Sequence, residues 1–150
     1  MSPIVLFDTG VLGDVTNPKA KQSNNSACLD WLVSLPSRGY EVAIPEIADY
    51  ELRRELLRVK KSEGIQQLDL LKAGIVYLPI TTDVMLKAAE LSAQVRQDGK
   101  PTADSKALDG DVILAAQALL QAKQGYEVIV ATTNVKHISR FVDARLWVDI

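Results

Sequence analysis

The sequence predicts an α/β fold with a mostly parallel central sheet covered by helices. Short, continuously apolar runs such as Ile4–Phe7 and Val128–Ala131 read as strands buried on both faces. Longer stretches with helical apolar spacing separate them, so strand and helix alternate along the chain. Right-handed crossovers between such strands give a parallel sheet sandwiched by helices. No linker and no internal repeat interrupts residues 1–150, which are expected to form a single domain.

The first strand, Ile4 to Phe7, ends in Asp8-Thr9-Gly10. Leu29, Leu32 and Val33 repeat at helical spacing, and Pro36 closes a helix from about Asn24 to Leu35. Val42-Ala43-Ile44 forms the second strand, cut off by Pro45, which suits the first turn of the next helix. That helix runs from about Glu46 past Arg58. Leu68, Leu70 and Leu71 lie on another helix, ended by Gly74. Ile75 to Ile80 is the third strand, and Thr82-Asp83 caps a helix ending near Asp98-Gly99. The polar segment Lys100 to Leu108, with Pro101, reads as a loop. Asp111 then opens an Ala-rich helix, Val112 to Ala122, terminated at Gly125. After the strand Val128 to Ala131, a helical turn around Ile138 to Phe141 and a last strand near Leu146 to Val148 complete the chain.

Composition narrows the function classes. At 150 residues, 47% hydrophobic and 24% charged, the chain has the makeup of a globular protein and not of a disordered one. A net charge of −2 gives no global attraction to nucleic acid, so contacts with it must use local basic groups or a bound cation. The single cysteine, Cys28, rules out an internal disulfide and a thiolate metal cluster, and its apolar helical setting makes it a core residue. The N-terminal residues lack a basic signal-peptide region, and no run approaches the roughly 20 apolar residues of a membrane span. A cytoplasmic protein is expected.

Ligands of open parallel sheets bind beyond the carboxyl ends of the strands. Four oxygen-bearing side chains fall there. Asp8 directly follows the first strand, Glu51 lies about one and a half turns into the helix after the second, Asp111 opens the helix before the fourth, and Asn134 follows the fourth. Each has a plainer alternative: Asp8 as a turn cap, Glu51 as part of a solvated acidic face with Glu46, Asp49 and Glu55, Asp111 as a helix N-cap, and Asn134 as a turn residue. Asp109 could substitute for Asp111. Carboxylates brought close together must be neutralised by protons, basic groups or a cation. Hard oxygen donors with only one histidine, His137, favour Mg²⁺ or Mn²⁺ over zinc.

Leu6-Phe7-Asp8-Thr9-Gly10-Val11-Leu12, Asp111-Val112-Ile113-Leu114-Ala115-Ala116-Gln117-Ala118 and Val130-Ala131-Thr132-Thr133-Asn134 resemble three stretches of the PIN-domain nucleases, and within them the VapC-type toxins of bacterial toxin–antitoxin pairs. Ile44-Pro45-Glu46-Ile47-Ala48-Asp49-Tyr50-Glu51-Leu52 is similar to the segment carrying that family's second acid, with Glu51 as the match. The resemblance spans residues 4 to about 141 in order. It implies a PIN-like three-layer α/β/α sandwich and Mg²⁺- or Mn²⁺-dependent hydrolysis of RNA. Asp8, Glu51 and Asp111 would be the metal ligands, and Asn134 would position water or ligand. It also implies an antitoxin partner and a homodimer. The chain departs from the family at Gly10, where Ser or Asn is frequent, at the uncharged Asn134, and at His137, where an acid is frequent. Arg53-Arg54, Arg58, Lys60-Lys61, Arg96, Lys100 and Lys106 are candidate RNA contacts. Two rival readings stay open: a catalytically weak PIN-fold module that binds RNA or protein, and a phosphohydrolase or receiver-like α/β protein using Asp8, against which Asn134 stands where a late-strand Lys is expected, with Lys136 nearby.

Overall fold

A computed structural model describes residues 2–19, 26–99 and 105–150, with the side chains of 105 and 106 outside the described set. The elements run β1 (Ile4–Phe7), α1 (Thr9–Thr16), α2 (Ser26–Ser34), β2 (Glu41–Pro45), α3 (Glu46–Arg58), α4 (Ser62–Gly74), β3 (Val76–Leu78), α5 (Thr82–Gln97), α6 (Ser105–Lys123), β4 (Val128–Ala131), α7 (Val135–Ile138) and β5 (Ala144–Arg145). Short 3₁₀ turns cover Pro36–Arg38 and Trp147–Asp149. The strands lie in the order β3-β2-β1-β4-β5, and every pairing is parallel, with Val5 opposite both Val42 and Ile129.

Alternate residues of the central strands enter two different apolar clusters, as a sheet buried on both faces requires. Val5, Phe7, Val42, Ile44, Ile129 and Ala131 pack under α1, α2 and α4 through Val11, Leu12, Trp31, Leu32 and Leu68. Ile4, Leu6, Ala43 and Val130 face the other way, against Leu114 and Ala118 of α6 and Ile138 of α7. Helix α5 lies outside α6, joined through Val84, Ala88 and Val95 against Leu108, Val112 and Ala116. The result is the three-layer α/β/α sandwich that the sequence predicts. Among the described residues no helix is long and apolar enough to cross a membrane.

Several boundaries differ from those read in the sequence. Helix α1 was not anticipated; its eight residues, TGVLGDVT, carry two glycines and two β-branched valines, all weak helix formers. It forms because the Asp8 carboxylate accepts from Thr9 N, and because Val11, Leu12 and Val15 are buried. The third strand shortens to Val76–Leu78. Thr81, not Thr82-Asp83, caps α5, its hydroxyl accepting from Val84 N. Helix α6 begins at Ser105, so the end of the expected Lys100–Leu108 loop is helical and Asp111 lies well inside the helix instead of opening it. The helical turn after β4 is Val135–Ile138, and the last strand is Ala144–Arg145 while Trp147–Asp149 is a 3₁₀ turn. The expected helix start at Asn24 and the loop residues 100–104 lie outside the described residues.

Buried polar groups join the layers. Gln117, on α6, is 2% exposed; its Nε2 donates to Leu78 O at 2.7 Å and its Oε1 accepts from Ile47 N at 3.3 Å. One side chain thereby pairs the end of β3 and the first turn of α3, whose N–H groups have no partner within the helix.

Candidate active site

The strand order reverses between β1 and β4, so the crevice beyond their carboxyl ends is the place where this sheet can hold a ligand. Asp8 stands at that switch point. Its backbone N–H donates to Ala131 O, holding it against the end of β4. Its Oδ1 accepts from Thr9 N at 2.7 Å and its Oδ2 from the buried Thr132 hydroxyl at 2.7 Å. The cap role weighed for Asp8 is therefore real, and it orients the carboxylate without using all its lone pairs.

Helix α3 follows β2 directly and carries Glu51 toward the same place. Glu51 Oε1 accepts from the Thr9 hydroxyl at 2.7 Å. The other acids of α3 are engaged elsewhere. Glu46 accepts from Ile80 N, Glu55 pairs with Arg58, and Asp49 is buried, bonded by Arg53 and the Tyr77 hydroxyl. Of this acidic face, Glu51 is the residue that reaches Thr9 beside Asp8.

Asp111 projects from the second turn of α6, with its side chain 17% exposed. Its carboxyl is pushed up to about 6, first by burial and then by the negative charge of Asp8; Glu51 adds to the rise, while His137 and Arg140 oppose it. This perturbation shows that the three acids share one field. The residue before it, Gly110, makes room for the cluster: a Cβ there would lie 2.7 Å from Glu51 Oε2. That contact explains a glycine inside a helix, where it ordinarily costs about 1 kcal/mol relative to alanine. Asp109, the alternative acid, is exposed on the same helix.

Asn134 follows β4 as predicted. Its backbone N–H donates to the Thr132 hydroxyl at 2.9 Å, and its Nδ2 stands 3.1 Å from His137 Nδ1. The same ring nitrogen is 3.9 Å from Asp111 Oδ2. Gly10, the departure noted in the first helix, has Thr133 Oγ1 only 3.3 Å from the position of an added Cβ, so α1 packs too tightly on this turn for a side chain without local adjustment.

The structure thus brings Asp8, Glu51 and Asp111 into one electrostatic cluster with Asn134 at its margin. Among the described residues no three His, Cys, Asp or Glu side chains stand close enough to clasp an ion directly. The donor set, carboxylates with a neighbouring amide, is of the hard oxygen kind that suits a divalent cation held partly through water. Sequence reasoning missed Thr9, Thr132 and Gly110, which hold or make room for the acids. The hydroxyl beside Asp8 and the glycine beside Asp111 were the available signals. Of the expected basic contacts, Arg53 is tied to Asp49 and Asp69, and Arg58 to Glu55. Arg54 lies over the Tyr50 ring at 5.3 Å. Lys100 and the Lys106 side chain fall outside the described residues.

Comparison with known proteins points the same way. The family model for the PIN domain matches residues 5–137. A VapBC2 complex from Rickettsia felis bound to a promoter DNA fragment superposes with a TM-score of 0.73 at 18% identity, covering 96% of this chain and 98% of that one. VapBC-1 from nontypeable Haemophilus influenzae gives 0.69 at 16% identity, over 97% and 98% of the two chains. DNA-bound VapBC from Salmonella typhimurium gives 0.62 at 15% identity, over 98% and 99%. No curated protein matches the chain.

Proposed function

The chain belongs to the PIN domain family, and from that premise we propose that it is a metal-dependent ribonuclease and the toxin of a VapBC-type pair. The observation that carries the reading is the convergence of Asp8, Glu51 and Asp111, from three separate elements, at the switch point of the sheet. Asp111 is raised first by burial and then by its neighbouring carboxylates, and acids gathered in this way call for a compensating cation. An Mg²⁺ or Mn²⁺ ion held there, directly or through water, supplies Lewis acidity toward a phosphate oxygen and a water activated for attack.

The chain's own residues set the geometry. Asp8 is locked by Thr9 N and the Thr132 hydroxyl, so its free lone pairs keep one direction. Thr9 fixes Glu51 beside it. Asp111 provides the third carboxylate, and Asn134 presents an amide to water or to the scissile phosphate. Single-stranded RNA with splayed bases is the expected substrate form. Because the acid cluster repels a polyanion until the cation binds, basic groups around the rim must assist.

Incubating purified protein with structured RNA and Mg²⁺ or Mn²⁺ tests the reading. Cleavage should require the metal and fall at least about a hundredfold, or some 2.7 kcal/mol of transition-state stabilisation, in Asp8→Asn and Asp111→Asn. Cleavage unaffected by either substitution would sink the nuclease assignment. The uncharged Asn134 favours a second reading, a PIN-fold module that binds RNA or protein and cleaves weakly. RNA binding without metal-dependent cleavage is its signature. The solved neighbours are VapBC proteins, and VapBC-5 from Mycobacterium tuberculosis is a member of a family of toxin-antitoxin systems; we extend that partnership to this chain: a small antitoxin whose tail covers the acid site, with the toxin as a homodimer in the cytoplasm. A small adjacent reading frame whose product co-purifies with the chain would support the pairing. Light scattering that returns a monomer would remove the dimer.

A further inference from the structure

The sole histidine of the chain stands beside the acid cluster. His137 Nδ1 lies 3.1 Å from Asn134 Nδ2, and with the amide N–H donating, that ring nitrogen carries a lone pair while Nε2 carries the hydrogen. Asp111 Oδ2 is 3.9 Å from the same nitrogen. That is too long for a hydrogen bond. It is short enough for one divalent ion to touch both atoms at about 2.1 Å from each.

The ring is placed by the fold. Its backbone N–H donates to Asn134 O in the first turn of α7, and Ile138, the next residue, is fully buried. The side chain itself is 26% exposed, at the rim of the site, so it neither fills the core nor projects freely into solvent. An imidazole nitrogen facing a partly buried carboxylate across this gap is half of a mixed nitrogen and oxygen donor set. Carboxylate-and-water sites suit Mg²⁺, whereas imidazole adds affinity for Mn²⁺ and more for Co²⁺.

We propose that His137 is a direct ligand of the divalent ion, acting with Asp111 across the gap between them, and that it shifts the centre's preference from Mg²⁺ toward Mn²⁺ and Co²⁺. The inference rests on the metal-dependent reading above, and takes from it only that an ion binds beside Asp111. Nδ1 has a single lone pair, so a bound ion takes the place of the Asn134 amide there.

With one histidine in the chain, the test is unambiguous in protein purified without a histidine tag. Mn²⁺ is titrated into the protein, bound ion is counted by electron paramagnetic resonance, and spin-echo modulation is recorded with unlabelled and with ¹⁵N-histidine protein. A nitrogen coupling that changes with the label is expected. In His137→Gln the coupling disappears and Mn²⁺ affinity falls about tenfold or more, with a smaller change for Mg²⁺. His137→Asp regains an oxygen ligand and favours Mg²⁺ relative to the wild type, without the coupling. Circular dichroism confirms that each variant is folded. Mn²⁺ bound equally by wild type and His137→Gln, with no histidine coupling, overturns the inference and leaves the metal site standing. No Mn²⁺ binding at all overturns the metal-dependent reading and this inference with it.

Discussion

Asp111 carries opposing demands, and replacing it by Asn separates them. The carboxyl is raised from its ordinary 3.8 to about 6 by burial and by Asp8. Between those two values the folded protein keeps a proton that the unfolded chain has released, so stability falls as pH rises through that window. Above pH 6 the full penalty is present. A shift of this size corresponds to at most about 3 kcal/mol. Solvent at the partly open site reduces this to about 1–2 kcal/mol, comparable with one buried aliphatic side chain. Asn is nearly isosteric with the protonated acid and does not titrate. Asp111→Asn should therefore raise the melting temperature of ion-free protein at pH 8 by about 2–8 °C, at about 2–4 °C per kcal/mol. The gap should close below about pH 4, where Asp111 is neutral as well. The same variant should lose RNA cleavage, and its melting temperature should no longer rise with added Mn²⁺. Calorimetry with a chelator present, from pH 4 to 8, checks the sign. A variant less stable than wild type at pH 8, or a gap independent of pH, would refute the electrostatic reasoning.

Three other substitutions probe the supports of the site. Gln117→Ala strips partners from Leu78 O and Ile47 N in the interior and should cost about 2–4 kcal/mol in denaturant unfolding; a cost under about 1 kcal/mol would mean that water replaces the amide. Thr132→Val keeps shape while removing the hydroxyl that serves both Asp8 and Asn134 N, so a loss of about 1–3 kcal/mol is expected together with weaker Mn²⁺ binding by calorimetric titration. Unchanged metal affinity would show that Thr132 does not orient Asp8. Gly110→Ala should hold or improve stability by up to about 1 kcal/mol through helix propensity. Its Cβ displaces the Glu51 carboxylate, so metal affinity falls; equal affinity in the two proteins would detach Glu51 from the ion.

Much of the architecture was legible from local pattern. Ile4–Phe7 and Val128–Ala131 are apolar at every position, as suits short strands with both faces covered, and both lie where the pattern put them. The elements missed or misplaced are those whose local propensity argues against them. Helix α1 has two glycines in eight residues, and α6 contains Asp109-Gly110-Asp111, which reads as a helix start. Both are overridden by long-range contacts: Gly10 lets α1 approach Thr133, and Gly110 makes room for Glu51.

The candidate site divides along the same line. By itself the sequence determined which oxygen-bearing residues fall at the carboxyl ends of strands, because strand and helix periodicity fix the chain's direction through a parallel sheet. Only the tertiary structure decided which acids share a field. Glu46, Asp49, Glu51 and Glu55 are neighbours on one helix, told apart in the sequence by family resemblance alone; in the structure three are turned to Ile80, Tyr77 with Arg53, and Arg58, while Glu51 meets Thr9 beside Asp8. The physical reason is that a carboxylate's role depends on what lies within a few ångströms of it, and here those neighbours come from α1, α6 and the end of β4. Local pattern places a residue on an element. The charge it feels is set by the packing of elements far apart in the chain.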